Sequence, residues 1–156
     1  MGYAESAKKI PSIAWKLAKT NEQKRELEHL WAQDPELAYL YATYVIGKPW
    51  PPGEAAIGGD ANYAYQYARR IIKKPWPPGE AAIAGDAAYA YRYARDVIGK
   101  RWPPGEAAIA GDPEYAYLYA HKIIKKRWPP GEAAIAGDAE WAKAYQDEFK
   151  VKLRAG

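Results

Sequence analysis

Residues 76–101 read WPPGEAAIAGDAAYAYRYARDVIGKR, and at Trp102 the same WPPGEAAIAGD begins again. The period is 26: Trp50, Trp76, Trp102 and Trp128 keep it, and so do Asp34, Asp60, Asp86, Asp112 and Asp138. The block PPGEAAIAGD stands at 77–86, 103–112 and 129–138, and at 51–60 with Gly58 in place of alanine. A fixed period in this range marks a stacked repeat architecture, in which one unit cannot bury its own apolar face and neighbouring units bury it together.

Each unit reads as two helices. The first is short, about 52–58, with proline in the first turn, where its missing N–H has no partner to lose. Glu54 follows near the positive end of the helix dipole. Gly59 is expected to end this helix in the left-handed conformation. Asp60 then serves as N-cap of the second helix. The second helix is expected over 61–74. Ala64, Tyr67, Ala68 and Ile71 fall at the i, i+3, i+4, i+7 spacing of one buried face, broadened by Tyr63, Tyr65 and Ile72. Asn62, Gln66, Arg69 and Lys73 lie opposite. The run YAYQY has the alternation of a strand, but it sits inside helical spacing and is rich in alanine, a poor strand former.

The fold expected is therefore all-α, an α-solenoid of tandem helix-turn-helix repeats with a short and a long helix in every 26 residues. It forms a single domain over 1–156, with an N-terminal cap at 1–33, four repeats over 34–137 and a C-terminal capping helix at 138–156. The caps depart from the repeat. NEQKRELEHLWAQ at 21–33 is charged and lacks WPPG, and the last long helix becomes AEWAKAYQDEF.

Composition narrows the function classes. Aromatic content is carried by 14 Tyr and 7 Trp against one Phe, so amphipathic rings and alanine must fill the core together. No cysteine is present, which removes disulfide and thiol chemistry and suits a reducing compartment. No apolar run approaches the ~20 residues of a membrane span. MGYAES places Gly2 and Ser6 as in the start of a myristoylation signal, a short pattern that chance often supplies. A soluble, cytoplasmic chain without membrane contact is expected. The net charge of +4 permits a nucleic-acid partner without requiring one.

The pattern W-P-x-G-E-x-x-I-x-x-D-x-x-x-A-Y-x-Y-A-x-x-x-I over 34–138 resembles tandem repeats of uncharacterised, largely bacteriophage-encoded proteins, or an engineered consensus of them. The resemblance implies a small helical repeat protein, in the host cytoplasm if phage-encoded. It brings no catalytic residue.

The carboxylates of each unit, such as Glu106 and Asp112, sit where helix N-termini attract them. His29 and His121 are the only histidines and lack the paired spacing of a zinc motif. No nucleophile–base pair or phosphate loop is visible, so no enzyme, metal or cofactor is expected. The four tryptophans are expected to wedge between units and fix their spacing, and the tyrosine triplets to cover the seam. Two surfaces remain. Gln66, Arg92 and Leu118 are equivalent positions, as are Arg69, Arg95 and His121. They vary while the framework repeats, which frees them for recognition of a protein partner. Lys73, Lys74, Lys100, Arg101, Lys125, Lys126 and Arg127 cluster at the ends of the long helices as a basic edge. The leading expectation is a non-enzymatic scaffold for protein–protein interaction. The alternatives are nucleic-acid binding along the basic edge and a structural, self-assembling or designed repeat. Charged caps argue against open-ended stacking but leave a side-by-side homo-oligomer open.

Overall fold

A computed structural model describes residues 10–154; Gly2 and Ser6 lie outside them. The described residues form eleven α-helices and no strand. They are α1 Pro11–Leu17, α2 Asn21–Trp31, α3 Pro35–Tyr41, α4 Glu54–Gly58, α5 Ala61–Tyr67, α6 Pro77–Ala84, α7 Ala87–Tyr93, α8 Pro103–Ala110, α9 Pro113–Tyr119, α10 Pro129–Ala136 and α11 Ala139–Phe149. The fold is all-α and of the α-solenoid class. The chain falls into two compact units, Met1–Ala82 and Ile83–Gly156. In the first, α3 packs on α4 and α5. In the second, each of α7 to α10 packs on the helix that follows it, and long helix α9 lies between long helices α7 and α11.

The helix starts follow the sequence. Asp34, Asp60, Asp86 and Asp112 accept the backbone N–H three residues on at 2.9–3.1 Å, and Asp138 caps α11 in the same way. The Thr20–Gln23 capping box starts α2. The helix ends differ from expectation. Gly59, Gly111 and Gly137 keep right-handed φ of −83°, −85° and −77°. The last turn of the short helix tightens instead, Asp60 N–H reaching the Ile57 carbonyl at 3.2 Å, so the chain enters the next N-cap without reversing.

Left-handed residues close the long helices. Gly47 and Gly99 have φ of 70° and 75°, and Lys73 and Lys125, at the same position in alternate units, have 59° and 61°. Just before them the helix widens. Ala42–Ile46, Ala68–Ile72, Ala94–Ile98 and Ala120–Ile124 are π-helical, and the cap N–H bonds the alanine carbonyl five residues back at 2.7–2.8 Å.

The core is an aromatic spine. Trp50, Trp76, Trp102 and Trp128 are 2–7 % exposed, as expected of wedges. The last tyrosine of each long helix (Tyr41, Tyr67, Tyr93, Tyr119 and Tyr145) is buried to 1 % exposure or less. In the first unit the Tyr41 ring lies 4.7 Å from Trp50 and the Tyr67 ring 4.9 Å from Trp76. In the second, Tyr93–Trp102 and Tyr119–Trp128 repeat this at 4.8 and 4.9 Å. The middle tyrosine packs on the first tyrosine of the next long helix, Tyr39 on Tyr63 at 5.6 Å and Tyr91 on Tyr115 at 5.9 Å. The triplets thus line the seam.

The glycine of WPPGE is set by close approach. A Cβ at Gly105 would sit 2.6 Å from Trp102 Cε3 and 2.8 Å from the Ala90 Cβ, both held by the core. At Gly111 the nearest atom would be the Ala108 carbonyl oxygen at 3.5 Å, an ordinary contact. Gly105→Ala is therefore expected to destabilise by about 1–3 kcal/mol, as overpacking does. Gly111→Ala is expected to stabilise by about 0.4–1 kcal/mol through the unfolded state. Urea denaturation of the two variants checks the opposite signs.

Candidate interaction surface

The tyrosine hydroxyls of the spine share one arrangement, while the Trp128 indole N–H is buried without a hydrogen-bond partner. The Tyr119 hydroxyl accepts the Trp102 backbone N–H at 3.0 Å and donates to Glu106 Oε1 at 2.7 Å. Tyr67 does the same with Trp50 and Glu54, and Tyr145 with Trp128 and Glu132. Tyr41 donates to Glu28, which stands 26 residues before Glu54. The glutamate of the repeat is thus more than a dipole partner. It is the acceptor for a buried hydroxyl. Arg101 and Arg127, both in the expected basic edge, hold Glu106 and Glu132 in two-pronged pairs at 2.9 and 3.0 Å. Their charge serves this network.

The other basic-edge residues divide by role. Lys73 and Lys125 supply the left-handed caps. Lys74, Lys100 and Lys126 follow the caps, are exposed, and form no ion pair among the described residues. A cleft of about 330 Å³ is lined by Arg127, Glu132, Ala133, Lys152, Leu153 and Arg154.

The expected recognition residues lie on the long helices, and the second of each pair, with its chain neighbour, sits on a π turn. In the first unit Arg69 and Arg70 are exposed, and Gln66 is partly covered, its Oε1 buried without a partner. In the second unit Arg92 lies 5.3 Å over the Tyr89 ring, and Arg95 lies 5.3 Å over Tyr91 while paired with Asp96 at 2.7 Å. Leu118 is half-buried. His121 stacks on Tyr117 at 5.7 Å and meets Glu148 through Nδ1, and Tyr117 donates to the same carboxylate at 2.8 Å. The second unit therefore brings Arg92, Arg95, Leu118 and His121 onto adjacent long helices and fixes three of them by rings and carboxylates.

A third surface position escaped the sequence reading. Tyr44, Arg70, Asp96, Lys122 and Glu148 occupy it with the 26-residue period, all different and all exposed. Its signal was legible: it is the position after Arg69, Arg95 and His121, and no two units agree there.

Among the described residues no group of three or more His, Cys, Asp and Glu is placed to hold a metal, and no helix is long and apolar enough to cross a membrane. Comparison with protein-family models, with curated proteins and with solved structures gives no match.

The network titrates at both ends of the pH scale. Arg101 and Arg127 hold Glu106 and Glu132 below the usual carboxylate range against the opposing effect of burial. That stabilisation is present above the unfolded carboxylate value, about 4.3, and is lost as pH falls through the depressed folded value. Burial pushes Tyr119 and Tyr145 up to about 12. Their contribution is intact below the unfolded value of about 10 and is lost as pH rises through the folded one. The urea midpoint is expected to be flat from about pH 6 to 9 and to fall on both sides. A midpoint unchanged up to pH 12 contradicts the buried hydroxyl network.

Proposed function

We propose that this chain is a non-enzymatic helical-repeat scaffold that binds a protein partner through the exposed face of its long helices. The single observation that carries the reading is the separation of constant and variable positions. Asp, Ala, Trp, Gly, Glu and the buried Tyr recur because the stack requires them. The positions of Gln66, Arg92 and Leu118, of Arg69, Arg95 and His121, and of Arg70, Asp96 and Lys122 differ from unit to unit. They lie on the long helices, where substitution leaves the spine untouched. Repeat stacks use such extended surfaces for binding. The ring and carboxylate contacts around Arg92, Arg95 and His121 hold those side chains in place, which lowers the entropy lost on association.

Photo-crosslinking from position 96 or 122, compared with Ala107 on the short helix, tests this. A discrete protein adduct from 96 and 122, absent from 107 and lost when Arg92, Arg95 and His121 are replaced by alanine in a chain of unchanged melting temperature, is expected. Equal adducts from all three positions, or a self-adduct alone, would reject the proposal.

A further inference from the structure

The segment that follows α11 is pinned in place. Lys150 takes a left-handed φ of 55°, the Val151 N–H reaches back to the Gln146 carbonyl at 3.3 Å, and the Leu153 N–H donates to Gln146 Oε1 at 2.7 Å. This carries Lys152, Leu153 and Arg154 beside the start of α10, where they line the cleft of about 330 Å³ with Arg127, Glu132 and Ala133. All of these residues belong to the second compact unit. Charge in the cleft is unbalanced. Its one carboxylate, Glu132, is already committed: Arg127 grips both oxygens through Nε and Nη2, and the Tyr145 hydroxyl donates to Oε1. Lys152 and Arg154 are exposed and have no carboxylate partner among the described residues. Two cations therefore stand unmatched beside half-buried Leu153. The cleft also departs from the repeat, because Arg154 comes 26 residues after the buried Trp128 and Leu153 comes 26 after Arg127.

We infer that this cleft binds the phosphate group of a small organic phosphate monoester, apart from the variable face proposed to bind protein. Such a group carries a charge of about −1.5 to −2 at neutral pH, which matches the two unpaired cations. A carboxylate would leave one of them unmatched. The Arg154 guanidinium offers a fork for two phosphate oxygens, and Lys152 offers a point charge. Leu153 and Ala133 supply an apolar wall for the rest of the ligand. The volume lies at the lower end of the range of small-molecule sites, about 300–1,000 Å³, so the cleft suits one compact ligand. Gln146 is a positioning residue here. It touches no ligand, and its side chain holds the backbone between the two cations.

The test is an amide NMR titration of the full chain with phenyl phosphate. Saturable shifts confined to the start of α10 and the segment after α11 are expected, with a Kd below about 1 mM. Inorganic phosphate, which lacks the ring, and phenyl sulfate, which lacks the second charge, should each bind at least fivefold more weakly. Lys152→Gln combined with Arg154→Gln should lose at least tenfold in affinity. Lys16→Gln combined with Lys19→Gln removes the same charge from the first compact unit and should lose less than twofold. Gln146→Ala removes no charge but frees the Leu153 N–H, and it should weaken binding at least threefold while the amide shifts of the other helices stay as in the native chain. No saturable shift, equal shifts at lysines of both compact units, equal losses in the two charge variants, or native affinity in Gln146→Ala would overturn the inference. Tighter binding of a phosphoserine peptide than of phenyl phosphate would also overturn it, by assigning the cleft to a peptide. The cleft shares no residue with the photo-crosslinked face, so this result and that one fail independently.

Discussion

The structure depends on a buried tyrosine hydroxyl that recurs with the 26-residue period, at Tyr67, Tyr119 and Tyr145. Tyr119 Oη sits between the Trp102 N–H and the Glu106 carboxylate, and the Tyr119 ring lies against Trp128. Tyr67 and Tyr119 therefore each fix the start of their own short helix through hydrogen bonds and the next tryptophan through the ring. Neither partner is optional. A buried N–H left without an acceptor costs about 1–3 kcal/mol, more than a satisfied hydrogen bond contributes. The two prolines after tryptophan hold the chain on this path, and the glycine that follows lets Trp102 and Ala90 approach the helix backbone.

The ends of the stack show the same requirement met by other residues. At the N-terminus the short-helix segment has lost WPPG but keeps Glu28 for the Tyr41 hydroxyl, and Trp31 fills the place of the buried isoleucine. Trp15 closes this end, with its ring 5.2 Å from Tyr41. Arg154 stands 26 residues after Trp128, and Phe149 lies 4.8 Å from the Tyr145 ring. The Leu153 N–H turns back to the Gln146 side chain at 2.7 Å. The caps change the residues and preserve the contacts.

Much of this was legible in the sequence because it repeats. The period gave the all-α repeat class, Asp followed by the apolar spacing gave the helix starts, and the tryptophans are buried as their repetition led one to expect. Glu28 was legible too, 26 residues before Glu54, but the missing WPPG hid it. Other features had no such signal. The π turn at Ala68 leaves the same alternation of apolar and polar residues as an α-turn. The left-handed caps fell on Lys73 and Lys125, residues that adopt this conformation at a cost of about 1–2 kcal/mol, rather than on Gly59. The separation of the basic residues into Glu partners, caps and unpaired lysines depends on three-dimensional placement, and composition alone could not divide them.

Stability and recognition are thus assigned to different atoms of the same unit, and the surface is free to vary only if the spine alone holds the stack. The most direct test is a double-mutant cycle on Tyr119→Phe and Glu106→Gln, read by urea denaturation. Each change alone should destabilise the chain by about 1–3 kcal/mol, and the pair should cost less than the sum, with a coupling of at least about 0.5 kcal/mol. Additive effects, or a Tyr119→Phe variant as stable as the native chain, would mean that the hydroxyl does not tie the units together.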